Sequence, residues 1–135
     1  MTYLADANVL SEATRPAPDA KVLDWLRANE NEIVVDPIIL GEIQFGILLL
    51  RKSKRRLRLE AWFEQVVSHL YCLPWEAATG LQRAKLLAKL RASGHALPIK
   101  DSMIAATALA HGLTIATRNA RDFAKAGVPV VNPFA

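Results

Sequence analysis

The sequence predicts an α/β fold in which a parallel sheet is covered on both faces by helices. Three observations carry that prediction. Short apolar runs with strand character alternate along the chain with longer segments of helical spacing. The 135 residues are 52% hydrophobic and 22% charged, enough apolar surface for one core and too little charge for a disordered chain. No internal repeat, low-complexity tract or Gly/Ser linker divides the chain, so a single domain over residues 1–135 is expected.

The elements follow in order. Tyr3 to Ala5 is an apolar run that reads as the first strand. Asp6 ends it, and Asn8 is placed to cap a short helix through Arg15. Pro16 and Pro18 break that helix. Asp19 to Ala28 is helical, with Val22, Leu23 and Leu26 on one face. Ile33 to Val35 reads as the second strand. Pro37 suits the first turn of a helix that runs to about Leu50. This helix is apolar almost all round, which predicts burial. Ser53 to Arg58 reads as a basic connection, and Leu59 to Val67 as a helix with Trp62, Phe63 and Val66 inward. Leu70 to Leu73 is a strand before Pro74. Glu76 to Ala92 is a long helix whose stripe of Ala77, Leu81, Ala84 and Ala88 should pack, and Gly94 stops it. Asp101 is expected to cap a helix of small residues, Ser102 to His111, which Gly112 ends. Leu113 to Thr117 is a strand, Asp122 to Ala126 a helical turn, and Val128 to Val131 the last strand.

Composition excludes several classes of protein. A single cysteine, Cys72, leaves neither a disulfide framework nor a Cys-rich zinc module. The three histidines share no zinc spacing, and the six glycines are too scattered for a phosphate-cradling loop. Ser11 has no histidine partner in the pattern, which argues against a serine hydrolase. Trp25, Trp62 and Trp75 fall at positions that read as packing. Glu42 interrupts the longest apolar stretch, and no basic leader precedes the first strand, so a soluble cytoplasmic protein is expected. The net charge is +4, but six basic residues lie between Arg51 and Arg58. The rest of the chain carries 11 basic and 13 acidic residues, so the excess is one local patch. Such a patch is a solvated helix end or an attraction for phosphate.

Four acids stand out once each is placed on its element. Asp6 lies at the carboxyl end of the first strand. Glu42 is the only charge between Pro37 and Leu50, and a buried carboxylate needs an arginine partner, a cation or a wet cleft. Asp101 starts a helix, and Asp122, with Asn119, follows a strand as Asp6 does. Each position has a plain local reading as a cap, an ion pair or a turn. Taken together they mark strand ends and helix starts that a parallel sheet brings to one edge. Carboxylates gathered there repel one another, and a hard divalent cation relieves the repulsion. Such a site next to phosphate describes metal-assisted phosphodiester hydrolysis.

Four segments also carry a resemblance to a known family. They are DANVLSE (Asp6 to Glu12), the GEIQFGI helix around Glu42, IKDSMIAATALAHGL (Ile99 to Leu113) and TRNARDFAKAGVPVVNP (Thr117 to Pro133). In this order and spacing, over Tyr3 to Phe134, the chain resembles PIN-domain ribonucleases of the VapC toxin group, near the FitB-like branch. The resemblance implies a three-layer α/β/α sandwich with a central, mainly parallel sheet. It implies a Mg²⁺- or Mn²⁺-dependent endoribonuclease, the toxin of a VapBC-type toxin–antitoxin system. A cognate VapB-like antitoxin and a homodimer are implied as well. The family's acids match Asp6, Glu42 and Asp101. For the fourth, many members have an aspartate where this chain has Asn119, while the FitB-like pattern supplies Asp122, which is the better match. Asp6 and Asp101 are the expected direct metal ligands. Asn8, Arg118 and Asn119 are expected to contact the RNA, and the basic run RNA or antitoxin.

Two positions depart from the pattern. Ala7 stands where the family usually has Thr or Ser, and Pro37 where a small residue is more common. Two rivals are a catalytically silent PIN-like binding module and a Mg²⁺-dependent phosphatase with an aspartyl nucleophile. The phosphatase commonly wants a second aspartate two residues after the first, and this chain has Asn8.

Overall fold

The computed structural model describes all 135 residues, Met1–Ala135. Five short strands build one sheet: β1 (Tyr3–Ala5), β2 (Ile33–Val35), β3 (Tyr71–Cys72), β4 (Thr114–Ala116) and β5 (Val130–Val131). Their order is β3-β2-β1-β4-β5, and every neighbouring pair is parallel. Leu4 and Ala5 of β1 and Ile115 and Ala116 of β4 are fully buried, as the centre of a parallel sheet covered on both faces requires.

The topology decides where a site can form. The chain starts at the sheet centre, steps out through β2 to β3, then returns to the other side of β1 for β4 and β5. The order therefore reverses between β1 and β4, and open α/β sheets bind ligands beyond the carboxyl ends of strands at such a reversal. Ala5 pairs with Ala116, so Asp6 and Thr117 leave the two strands at the same level.

Seven helices flank the sheet in an α/β/α sandwich: α1 (Ala7–Leu10), α2 (Ala20–Ala28), α3 (Pro37–Leu48), α4 (Lys54–Gln65), α5 (Ala77–Ala92), α6 (Ile99–His111) and α7 (Ala120–Ala124). Side-chain caps start several of them. Asp19 accepts from Lys21 N at 2.8 Å, Asp36 from Ile39 N at 2.9 Å and Ser53 from Arg56 N at 3.1 Å. Ile39, Ile43 and Ile47 form the buried stripe of α3, one residue per turn. Ile104, Ala105, Ala106 and Ala108 are buried on α6, where the small alanines allow close packing, and α5 packs along this helix. Gly112 ends α6 at φ +65°, a conformation that suits glycine. No helix is long and apolar enough to cross a membrane.

The structure corrects several expectations. The first helix is capped by Asp6, not Asn8, and gives way to a 3₁₀ turn over Ser11–Thr14. α3 is not buried all round: Phe45 and Leu48 are exposed, as is Leu49 just past its end, because only one face of the helix meets the core. Ser53 to Arg58 is not a connection. Ser53 caps α4, and the basic residues form its first turns, with Arg56 Nε 3.0 Å from Glu60. Val66 lies beyond the end of that helix and is exposed, while Val67 takes the buried place. On α5 the packed face is Thr79, Leu86 and Leu90. The predicted stripe of Ala77, Leu81, Ala84 and Ala88 faces outward. Both faces of α5 have apolar residues at helical spacing, so periodicity alone could not choose between them.

Candidate active site

Asp6 is the anchor of the site. It follows β1, its backbone N–H donates to Ala116 O at 2.9 Å, and its side chain is 2% exposed. Oδ1 accepts from Ala7 N at 2.8 Å, and Oδ2 accepts from the Thr117 hydroxyl at 2.8 Å and from Asn8 Nδ2 at 3.4 Å. Burial pushes the Asp6 pKa up, against the Thr117 hydrogen bond, and the nearby Glu42 carboxylate raises it further.

Glu42 projects from α3 toward the same cleft, and its partner is a lysine, not the arginine that a plain ion pair suggested. Lys100 Nζ, from the first turn of α6, lies 2.5 Å from Glu42 Oε2. That oxygen is buried, and the Lys100 ammonium is its partner in a charge-assisted contact. Burial disfavours the Lys100 ammonium, but Glu42 foremost, then Asp101 and Asp6, hold its pKa above the ordinary lysine value.

Asp101 is buried and sits next to Lys100, but it does not cap α6. The helix begins at Ile99 after Pro98, and no side chain caps it, so the Asp101 carboxylate is not used for that purpose. Burial raises its pKa, Lys100 opposes this, and Glu42 and Asp122 add to the rise. Asp122, in the first turn of α7, is exposed and sits on the outer side, within electrostatic reach of Asp101. Lys100 thus pairs with Glu42 and lies within electrostatic reach of Asp101 and Asp6 at the topological switch, with Asp122 beyond them.

The three polar candidates divide. Asn8 bridges the two strand ends, donating to Asp6 and accepting from Arg118 N at 3.1 Å. The Arg118 guanidinium is exposed, 3.9 Å from the Phe134 ring centroid and 4.0 Å from Glu12 Oε1. Asn119 is exposed at the start of α7 and makes no side-chain cap. A groove of about 360 Å³ leads away from Asn8 and Arg118, past Arg15 and Trp62, to Arg55 of the basic run.

Sequence reasoning missed four residues here. Thr117 orients Asp6, and Lys100 supplies the positive charge. Asp36 follows β2 as Asp6 follows β1, so the same rule about strand ends applies to it. Its carboxylate is committed elsewhere: it accepts from Ile39 N and from the Thr107 hydroxyl at 2.6 Å, tying α3 to α6. Burial raises its pKa, against those hydrogen bonds. Glu12 is buried and accepts from Asp19 N at 2.8 Å. Lys100 is flagged only by its adjacency to Asp101, and Thr117 only by ending a strand beside Asp6's.

As they stand, no three His, Cys, Asp or Glu side chains converge closely enough to enclose an ion. The donor chemistry still fits a hard divalent cation. The donors are carboxylate oxygens that repel one another. A cation is already present among them, as Lys100.

A parallel α/β/α sandwich with carboxylates gathered at its switch point defines a class of acidic-cleft proteins. The chain belongs to the PIN domain family, whose model matches residues 3–129. It is 34% identical to VapC ribonuclease Y4jK of Sinorhizobium fredii, over 96% of this chain and 95% of that one. It is 33% identical to toxin FitB of Neisseria gonorrhoeae, over 97% of each. A crystal structure of FitAcB from Neisseria gonorrhoeae matches with a TM-score of 0.92 at 32% identity, covering 98% of this chain and 99% of that one.

Proposed function

We propose that this chain acts as one domain, the ribonuclease toxin of a VapBC-type toxin–antitoxin pair, and hydrolyses RNA phosphodiester bonds through its acidic cleft. The observation that carries the reading is that Lys100 pairs with Glu42 while Asp101 and Asp6 lie within electrostatic reach of the same ammonium, beyond β1 and β4. Buried carboxylates so placed are costly unless a cation belongs with them. The names of its relatives, VapC ribonuclease and toxin FitB, agree with it.

Asp6 and Asp101 hold Mg²⁺ or Mn²⁺, and Glu42 and Asp122 complete the acidic set directly or through water. When bound, the ion supplies the Lewis acidity that activates water and offsets charge on the phosphate. The side chains do the rest. Thr117 and the Ala7 N–H fix both oxygens of Asp6. Asn8 keeps the two strand ends in register, and with Asn119 and Arg118 it lines the approach for RNA. Arg55 and Arg15 extend that approach as phosphate contacts along the groove. The hydroxyl missing at Ala7 leaves the acidic set complete.

A VapB-like antitoxin holds the toxin inactive in the cytoplasm. The exposed apolar residues at the end of α3 (Phe45 and Leu48, with Leu49 just beyond) and the outward stripe of α5 support assembly as a homodimer and with that antitoxin.

The test is inducible expression in bacteria, with growth and total RNA followed for the native chain and for Asp6→Asn. Growth arrest with discrete RNA fragments is expected, abolished by the substitution and, for the purified protein with Mn²⁺, by EDTA. Arrest that persists in Asp6→Asn would instead establish a silent binding module. Folded protein that cuts no RNA in Mn²⁺ would overturn the reading.

A further inference from the structure

We propose that Lys100 is an intramolecular stand-in for the metal: its ammonium neutralises the acidic cleft until a divalent cation displaces it. The inference rests on the metal-dependent reading above and adds a competition within the chain for the same carboxylates.

Three features support displacement over permanent structural pairing. First, Lys100 and Glu42 come from different helices, α6 and α3, and Nζ is 2.5 Å from Oε2. Lys100 is the only basic side chain within 4 Å of Glu42. Second, Asp101 and Asp6 also act on the ammonium, so a cation that takes its place meets three carboxylates. Third, the Lys100 side chain is 48% exposed, against 27% for Glu42. The lysine can therefore swing its flexible stem into solvent, while the carboxylate stays in the cleft.

The physical consequence is a trade. Without the ion, Lys100 offsets the repulsion among Asp6, Glu42 and Asp101 and keeps the site folded. With the ion, that offset is redundant, and breaking the ion pair subtracts from metal affinity. The protein binds its metal more weakly than the same carboxylates would alone, and the cleft does not require metal in order to fold.

The experiment is a titration of the full-length protein with Mn²⁺ by isothermal calorimetry, without RNA, for the native chain, Lys100→Met and Lys100→Arg. Thermal unfolding with and without Mn²⁺ accompanies it. Lys100→Met should bind Mn²⁺ roughly tenfold tighter, equivalent to about 1.4 kcal/mol. It should melt lower than the native chain without metal and gain more from Mn²⁺. Lys100→Arg, which keeps the charge, should bind as the native chain does. If Lys100→Met does not fold, Lys100→Gln replaces it with the same expectation. Native binding with equal or weaker binding by the uncharged variant would overturn the role of Lys100 and leave the metal site standing. No Mn²⁺ binding by any of the proteins would overturn both.

Discussion

The Thr117 hydroxyl donates to Asp6 Oδ2 at 2.8 Å across 111 residues of sequence, and both side chains are buried. The hydrogen bond closes the seam between β1 and β4 just beyond their paired ends, at the point where the sheet order reverses. Thr117 Oγ1 also accepts from Asn119 N at 3.0 Å, so one hydroxyl sets both the rotamer of Asp6 and the turn into α7.

Thr117→Val keeps the shape and removes the hydroxyl. It leaves a buried carboxylate oxygen and a backbone N–H short of a partner, which should cost about 1–3 kcal/mol of stability. RNA cleavage should fall as Asp6 loses its orientation. Urea denaturation beside a cleavage assay measures both, and a native-like result in each would show that Thr117 is only filling space.

Thr107 and Asp36 make another buried long-range hydrogen bond, across 71 residues. Thr107→Val should destabilise by about 2–3 kcal/mol, since the carboxylate it unpairs is fully buried. Loss of the tie between α3 and α6 should also loosen the helices that bear Glu42 and Asp101, visible as faster amide exchange at their first turns.

Asp36 predicts a pH dependence. Burial raises its pKa in the folded chain above the unfolded value, so the native state holds the proton where the unfolded chain has released it. Its contribution to stability is full below the unfolded value of 3.8 and is lost as pH rises through the folded pKa. Asp36→Asn carries no charge to bury and should escape this loss. Its stability relative to the native chain should improve between pH 4 and pH 7, read from urea midpoints at several pH values. A constant difference would refute the assignment.

Gly112 ends α6 at φ +65°, and a Cβ there would meet nothing within 4 Å. The cost of Gly112→Ala is therefore conformational alone, about 1 kcal/mol. Thermal unfolding should fall by roughly 3–5 °C. A variant as stable as the native chain would show that the helix end readjusts.

Much of the site was legible because its acids obey local rules. Asp6 and Asp122 follow strands, Asp101 lies in the first turn of a helix, and Glu42 is the one charge on an apolar helix. What these rules could not tell was which acids are already committed. Asp36 looks like Asp6 in the sequence, yet Thr107 and Ile39 N occupy it. Asp101 looks like a cap, yet α6 starts two residues earlier and leaves its carboxylate free of that duty. The misread stripe of α5 has the same origin, since two apolar stripes compete and only the neighbour α6 selects one.

The sequence by itself determined the α/β alternation, the strands and helices to within a few residues, and the acids that lie at strand and helix ends. Those follow from periodicity and from the chemistry of caps and turns, which act within a few residues along the chain. Only the tertiary structure decided that Lys100 lies among the acids, that Thr117 holds Asp6 and that α3 leaves Phe45 to solvent. Burial and charge depend on distance in space, and the residues that set them here are brought together by the parallel pairing of β1 with β4 and the packing of α3 against α6.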